Sequence, residues 1–265
     1  MIVALLAAVA LFSASAQQDS VHPASTAEPG LLTFAETPRY PGNLLARTGV
    51  VGHSFEGRRI LLSQAGDPAL RGEVLVFGCI HGDECAGAAI QPRSALSAYC
   101  PDSKSDVYTV PNLNPDGAAR GSRLNGRGVD LNRNFPADWR PIGRPGDPQY
   151  AGPRPFSEPE TRLAASIVRQ LQPAATIWFH QHRGDLAFVR AWGQSAPGAR
   201  RFARLAGLPF KLLPWLDGTG PNWQNQSFPG TSSFVVELPQ GPLADGLRTR
   251  LDDSLVRLGR EVSED

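Results

Sequence analysis

Two histidines and two glutamates stand where apolar runs end, and side chains of those types at those places can do chemistry. The run Val74-Leu75-Val76-Phe77-Gly78-Cys79-Ile80 leads into His81-Gly82-Asp83-Glu84. An imidazole and a carboxylate three residues apart suit a zinc ion, which takes nitrogen and oxygen ligands. Taken alone, the pair serves equally well as a loop histidine and a helix N-terminal acid making ordinary hydrogen bonds. A second histidine, His180, closes another apolar run, Trp178-Phe179-His180-Gln181-His182. Residues two apart on a strand point the same way, so His182 is its rival. Glu237 is a lone acid in Phe234-Val235-Val236-Glu237-Leu238. Burying it is costly without a partner or a task; at a strand end it would simply be exposed.

These residues need elements to hold them. Val74 to Ile80 has the pattern of a buried strand, so His81 falls at its C-terminal end. In an open α/β sheet that edge is where ligands bind. Gly82 permits a tight turn. Ala86-Gly87-Ala88-Ala89-Ile90 then opens a helix expected from Glu84 to Tyr99, with Glu84 in its first turn. Leu44 to Leu62 suggests a hairpin turning at Glu56-Gly57, with His53 in a surface or capping role. Val107 to Val110 is a short strand. Asn112 to Phe156 is a long irregular stretch, and a loop of that length in a compact domain implies function. Ser157, with Glu160 three residues on, is the expected N-cap of a helix to about Gln170. Further on the pattern gives a strand over Ala175 to Phe179, a helix over Pro197 to Gly207 and a loop over Trp215 to Gly230. A strand over Ser233 to Leu238 and a helix over Pro242 to Val262 close the chain. There is no repeat and no second core. The expected fold is a single-domain three-layer α/β/α arrangement around a mixed, mostly parallel sheet.

Composition narrows the classes. The 265 residues carry a net charge of +1, which excludes a nucleic-acid-coating protein. The apolar start, followed by Ala14-Ser15-Ala16, fits a signal peptide over residues 1–16 and therefore export to the periplasm or beyond. Residues 17–30 fit a flexible linker, and 31–265 the folded domain. Nothing after residue 16 is long and apolar enough to span a membrane. Three cysteines are an odd number. On a straight helix Cys85 and Cys100 would lie roughly 22 Å apart, too far for a disulfide. Cys79 can pair with either, or all three can be small buried hydrophobes.

Taken in order, the motifs His81-Gly82-Asp83-Glu84, Asn114-Pro115-Asp116-Gly117, Asp130-Leu131-Asn132-Arg133-Asn134-Phe135, Ser157-Glu158-Pro159-Glu160, His180 and Glu237 resemble the zinc carboxypeptidases of the carboxypeptidase A type. The bacterial branch that includes murein tripeptide amidases looks most similar. The resemblance implies one zinc per chain, held by His81, Glu84 and His180 rather than His182. It makes Glu237 the general base that takes a proton from the zinc-bound water and passes it to the leaving nitrogen. Asn132 and Arg133 would hold the substrate's free carboxylate, for which a guanidinium fork is suited. Arg123 would polarise the scissile carbonyl, with Arg120 and Arg127 as neighbours able to take that part. Asp130 would buttress the loop, and Asp83 would orient a ligating histidine. One departure stands out. Digestive members carry a substrate-closing tyrosine between the last zinc histidine and the catalytic glutamate. This chain has none there and offers Trp192, Trp215 and Trp223. Trp223, in Asn222-Trp223-Gln224-Asn225, is the candidate for a substrate pocket, with a packed loop tryptophan as the equal alternative.

The expectation is therefore an exported zinc metallocarboxypeptidase acting on the C-terminal amide bond of peptides, those of the cell wall foremost. The rivals are an aspartoacylase-type zinc deacylase of acyl-amino acids and a non-catalytic peptidoglycan-binding protein.

Overall fold

A computed structural model describes residues 45–66, 74–91 and 105–264. The expected signal peptide and linker, the segment to Tyr99 and Cys100 lie outside them.

Alternation within the strands builds the layers. β1 (Leu45–His53) and β2 (Arg59–Gly66) form the expected hairpin, and β2 continues antiparallel onto β4 (Asp106–Val110). β4 runs parallel to β3 (Val74–Phe77), β3 to β5 (Ala175–Gln181), and β5 to β8 (Ser232–Leu238). Beyond β8 lie β6 (Phe188–Ala191), antiparallel to it, and β7 (Phe210–Leu212), parallel to β6. The eight-stranded order is β1-β2-β4-β3-β5-β8-β6-β7. The mixed sheet and flanking helices match the expected fold. β6 and β7 were not expected, being only four and three residues long.

Each face of the sheet carries its own core. Val74, Val76, Ile177, Phe179, Phe234 and Val236 pack toward helices α3 (Ala196–Ala206) and α5 (Asp245–Glu264). The intervening Leu75, Phe77, Trp178 and Val235 point the other way, toward α2 (Pro159–Leu171) and the loop residues Leu131 and Phe135. A strand with both faces covered has to be apolar throughout, which is why β3 lacks any polar alternation. No described helix is long and apolar enough to cross a membrane.

Three local expectations are corrected, and a fourth gains a second reason. Glu84 is not in a helix: a 3-10 turn spans only Ala86–Ala89, so the glutamate sits in the irregular segment before it. Gly82 lies in the expected tight turn, closed by Glu84 N donating to His81 O at 3.0 Å, and it also permits close packing. A Cβ there would lie 2.0 Å from the Gly117 carbonyl carbon, against the first turn of α1 (Pro115–Arg120). The N-cap of α2 is Glu158, not Ser157, because Pro159 fills the first helical position. The Trp215–Gly230 stretch is not all loop, since Gly220–Ser227 forms helix α4.

The long segment after β4 is held by the motifs that looked chemical. Asn114 caps α1 by accepting from Gly117 N at 2.9 Å. Asp116, fully buried, accepts from Ser54 Oγ, Glu56 N and Arg58 Nη1 at 2.7–2.9 Å and so ties α1 to the hairpin turn. Asn125 Nδ2 donates to Glu158 and Glu160. Asn134 accepts from Thr161 Oγ1 and donates to Ala151 O and Ser157 Oγ. Buried polar groups with that many partners fix a loop as firmly as a ladder would.

Candidate metal centre and active-site cavity

The chain switches direction across the sheet between β3 and β5, leaving the crevice beside the carboxyl ends of these strands where open α/β sheets bind ligands. His81 follows β3, and His180 is the penultimate residue of β5. A disulfide joins Cys79 to Cys85, with Cα atoms 4.6 Å apart, and encloses both His81 and Glu84. Of the two pairings left open for Cys79, the structure takes the short one.

Three donor atoms meet here. His81 Nδ1 lies 3.0 Å from Glu84 Oε2, His180 Nδ1 lies 2.9 Å from the same oxygen, and the two Nδ1 atoms are 3.1 Å apart. Ligands about 2.0–2.2 Å from a tetrahedral ion stand close to 3.4 Å from one another, so this triangle fits zinc with a slight opening. Among the described residues it is the cluster of three or more His, Cys, Asp or Glu able to hold a metal. His182 is not part of it. Its ring turns back onto its own loop, accepting from Gly184 N and bonding Leu186 O, both at 2.9 Å.

Behind the donors stands Asp130, wholly buried. Its Oδ1 takes His81 Nε2 at 3.1 Å and Asn132 N at 2.9 Å, and its Oδ2 takes Arg123 Nε at 2.9 Å. Burial alone would raise this carboxyl's pKa. His81, Arg123 and Arg133 outweigh that and hold it below the usual carboxylate range. Glu84 is likewise pushed up by burial but held well below that range by His180 and His81. Burial lowers the His81 pKa, but Asp130 and Glu84 raise it on balance. The orienting part expected of Asp83 therefore belongs to Asp130, and Asp83 is exposed. A carboxylate on the far nitrogen fixes the ring and leaves Nδ1 facing the centre.

The other expected residues divide. Arg123 donates Nη1 to Glu84 Oε1 at 2.8 Å and lines the cavity. Its neighbours are engaged elsewhere, Arg120 with Glu56 and Arg127 over the Phe55 ring. Asn132 bonds His180 Nε2 at 3.3 Å and accepts from Gly220 N at 3.0 Å. Arg133, 5% exposed, donates to Asn132 O and also lines the cavity. Burial lowers its pKa, with Arg123 and Arg190 adding to that and Asp130 and Asp217 opposing. Glu237 is the register partner of His180 and lies on the cavity wall. Trp223 is not brought to the site. It is 4% exposed, packed against Phe135, Phe156 and Phe228 with Arg169 over its ring. The tryptophan on the cavity wall is Trp215, and Trp192 is exposed. Arg190, Thr219 and Pro221 also line the cavity and were missed. An arginine inside Phe188-Val189-Arg190-Ala191 was the available signal, being costly to bury without a task.

Residues 39–209 match the family model described as zinc carboxypeptidase, and the chain belongs to that family. Zinc is thus the family's metal, and His81, Glu84 and His180 are the cluster able to hold it. The match includes all three donors and ends before Glu237. Murein peptide amidase A of Escherichia coli K12 is 34% identical over 127 residues, covering 42% of this chain and 50% of that protein. Carboxypeptidase B of Astacus astacus is 29% identical over 175 residues, covering 56% and 58%. The chain thus spans little more than half the length of these curated relatives. The solved murein-tripeptide amidase of Escherichia coli O157 superposes with a TM-score of 0.59 at 25% identity, over 89% of this chain and 95% of that one. Bovine thrombin-activatable fibrinolysis inhibitor shares the fold, with a TM-score of 0.67 at 18% identity, over 85% and 92%.

Proposed function

We propose that this chain is a metallocarboxypeptidase that hydrolyses the C-terminal amide bond of cell-wall peptides, with its catalytic domain over residues 31–265. The observation that carries the reading is one cavity lined by the three donors, by Glu237 and by Arg123, Asn132 and Arg133. Zinc, when bound, polarises a carbonyl and makes water acidic enough to attack near neutral pH. The chain supplies the rest. Arg133 and Asn132 anchor the substrate's free carboxylate, as a buried guanidinium does well. Arg123 faces the carbonyl oxygen as charge develops on it. The Glu237 carboxylate accepts the attacking water's proton and returns it to the leaving nitrogen. Similarity to murein peptide amidase A supports the cell-wall substrate.

Export is part of the proposal. The apolar start ending in Ala14-Ser15-Ala16 supports it, and so does the Cys79–Cys85 disulfide, since disulfides persist in oxidising compartments.

Zinc content and release of a C-terminal residue from a murein tripeptide test the reading. About one zinc per chain with cleavage is the expected result. Zinc with no cleavage of this peptide, but turnover of an acyl-amino acid, would move the chain to the deacylases. No zinc and no turnover would leave a binding protein.

A further inference from the structure

We propose that the Cys79–Cys85 bridge is a thiol–disulfide exchange site, opened by an external dithiol at Cys85, and that its redox state sets how tightly the adjoining centre holds zinc. The inference rests on the metal centre of the carboxypeptidase reading above and names a regulation for it.

Anchoring along the bridged loop is uneven. The Cys79 end is fixed to the sheet. Cys79 O accepts from Leu113 N at 2.9 Å and Asn114 N at 3.3 Å, and Gly78 N donates to Val110 O at 2.9 Å. Asp130 holds the ring of His81 just beyond. The Glu84 end lacks such backbone ties. Residues 82–85 belong to no strand or helix. Among the described residues their backbone hydrogen bonds stay local: Glu84 N donates to His81 O at 3.0 Å, and Cys85 O accepts from Ala88 N at 3.0 Å. Side chains supply the remainder. Ala86 N donates to Gln181 Oε1 at 2.9 Å, and the Glu84 carboxylate takes Arg123 Nη1 at 2.8 Å and Gln181 N at 3.3 Å. The bridge is thus the covalent tie that returns the Glu84 end to the end of β3.

The bridge also touches the other donor's backbone. Cys79 Sγ lies 3.2 Å and Cys85 Sγ 3.7 Å from His81 O. Opening it therefore frees two of the three zinc donors at once, while the non-covalent ties keep the loop near its place. Looser donors cost metal affinity without abolishing it, because binding then has to order the loop.

The two cysteines differ in access. Cys79 is 0% exposed. Cys85 is half-buried and lines a cavity of about 1120 Å³ beside the zinc donors, with Asp83, Ser122 and Arg183 around it. Attack therefore falls on Cys85, with Cys79 as the leaving sulfur. One thiolate of the dithiol bonds to Cys85 Sγ, the Cys79–Cys85 bond breaks, and Cys79 Sγ takes up a proton. The second thiolate of the dithiol then displaces Cys85, which is protonated in turn. The bridge gains two electrons, and the dithiol leaves as its own disulfide. Reverse exchange with a disulfide re-forms the bridge and tightens the centre, which links the metal to the export proposed above.

The test uses the full wild-type chain in both redox states. Dithiothreitol without denaturant, followed by anaerobic desalting, should raise the thiol count by two per chain. Zinc affinity, read by competition with a chromophoric chelator, should then fall about tenfold, a fraction of the full loop-closure effect. Oxidised glutathione should restore it. The variant Cys79→Ala, Cys85→Ala should show the reduced-state affinity and no response to dithiothreitol. In the single variants, Cys85 in Cys79→Ala should alkylate at least about tenfold faster than Cys79 in Cys85→Ala. Because zinc binding is read rather than turnover, a chain that cleaves no peptide yet follows this pattern loses the function reading and keeps this inference. No new thiols without denaturant, equal zinc affinity in the two states, or tighter binding by the freed thiols would each overturn it. So would alkylation of Cys79 as fast as Cys85, or a response to dithiothreitol that persists in the double variant.

Discussion

His180 and Glu237 are register partners on the neighbouring parallel strands β5 and β8, so the proposed metal donor and the proposed proton acceptor project side by side from one sheet face. Neither depends on a flexible loop for its placement. Because Glu237 is not among the three donors, its loss should separate chemistry from metal binding. Glu237→Gln is expected to keep about one zinc per chain and lose about 10²–10⁴-fold in kcat. Zinc content and single-turnover assays check this, and loss of zinc in the variant would make Glu237 a ligand instead.

Asp130 bonds His81, Arg123 and the Asn132 backbone at once. Asp130→Asn replaces one acceptor oxygen by a donor and removes the charge that fixes the His81 ring. Zinc affinity should fall about 10–100-fold, read by competition with a chromophoric chelator. An unchanged affinity would show that the Cys79–Cys85 loop alone orients His81.

That loop is the next target. The disulfide spans six residues of sequence and carries two of the three donors within it. Chain-entropy arguments give a loop this short about 2 kcal/mol. The double variant Cys79→Ala, Cys85→Ala should therefore melt several degrees lower, about 4–8 °C for a domain of this size. It should also lose zinc faster to a chelator. Calorimetry and chelation kinetics on the same samples test both, and equal kinetics would confine the disulfide to stability.

Asp252 on α5 is 1% exposed, and burial pushes its pKa up to about 6 although Arg248 lies 3.7 Å away. The ordinary value is 3.8. Between these values the folded chain keeps a proton that the unfolded chain releases, so stability falls as pH rises from about 4 to 6 and stays lower above. Asp252→Asn should be more stable than wild type by about 3 kcal/mol at pH 8, with the gap closing as pH approaches 4. Urea unfolding at both pH values measures it, and a gap that does not change with pH would assign the effect to packing.

Much was legible locally. β3 and β5 announced themselves because strands covered on both faces must be apolar throughout, and His81 and His180 followed directly from where those runs stop. Glu237 was visible as a lone charge in such a run. The 3-10 turn after Glu84 was not legible, because Ala-rich sequence favours an α-helix unless the disulfide and the close approach of Gly82 to α1 intervene. α4 was hidden by Gly220 and Pro221, which mark loops as readily as a helix's first turn.

The sequence by itself determined the donor types, their order and the strand ends that carry them, since periodicity and residue chemistry are local properties. Tertiary structure alone decided that Asp130 rather than Asp83 supports His81, that Arg123 rather than Arg120 or Arg127 faces the cavity, and that Trp215 rather than Trp223 lines it. It also set Arg190 on the same wall as Glu237 through the antiparallel pairing of β6 with β8. Those choices depend on which segments far apart in the chain come within a few ångströms, and no spacing along the sequence encodes that distance.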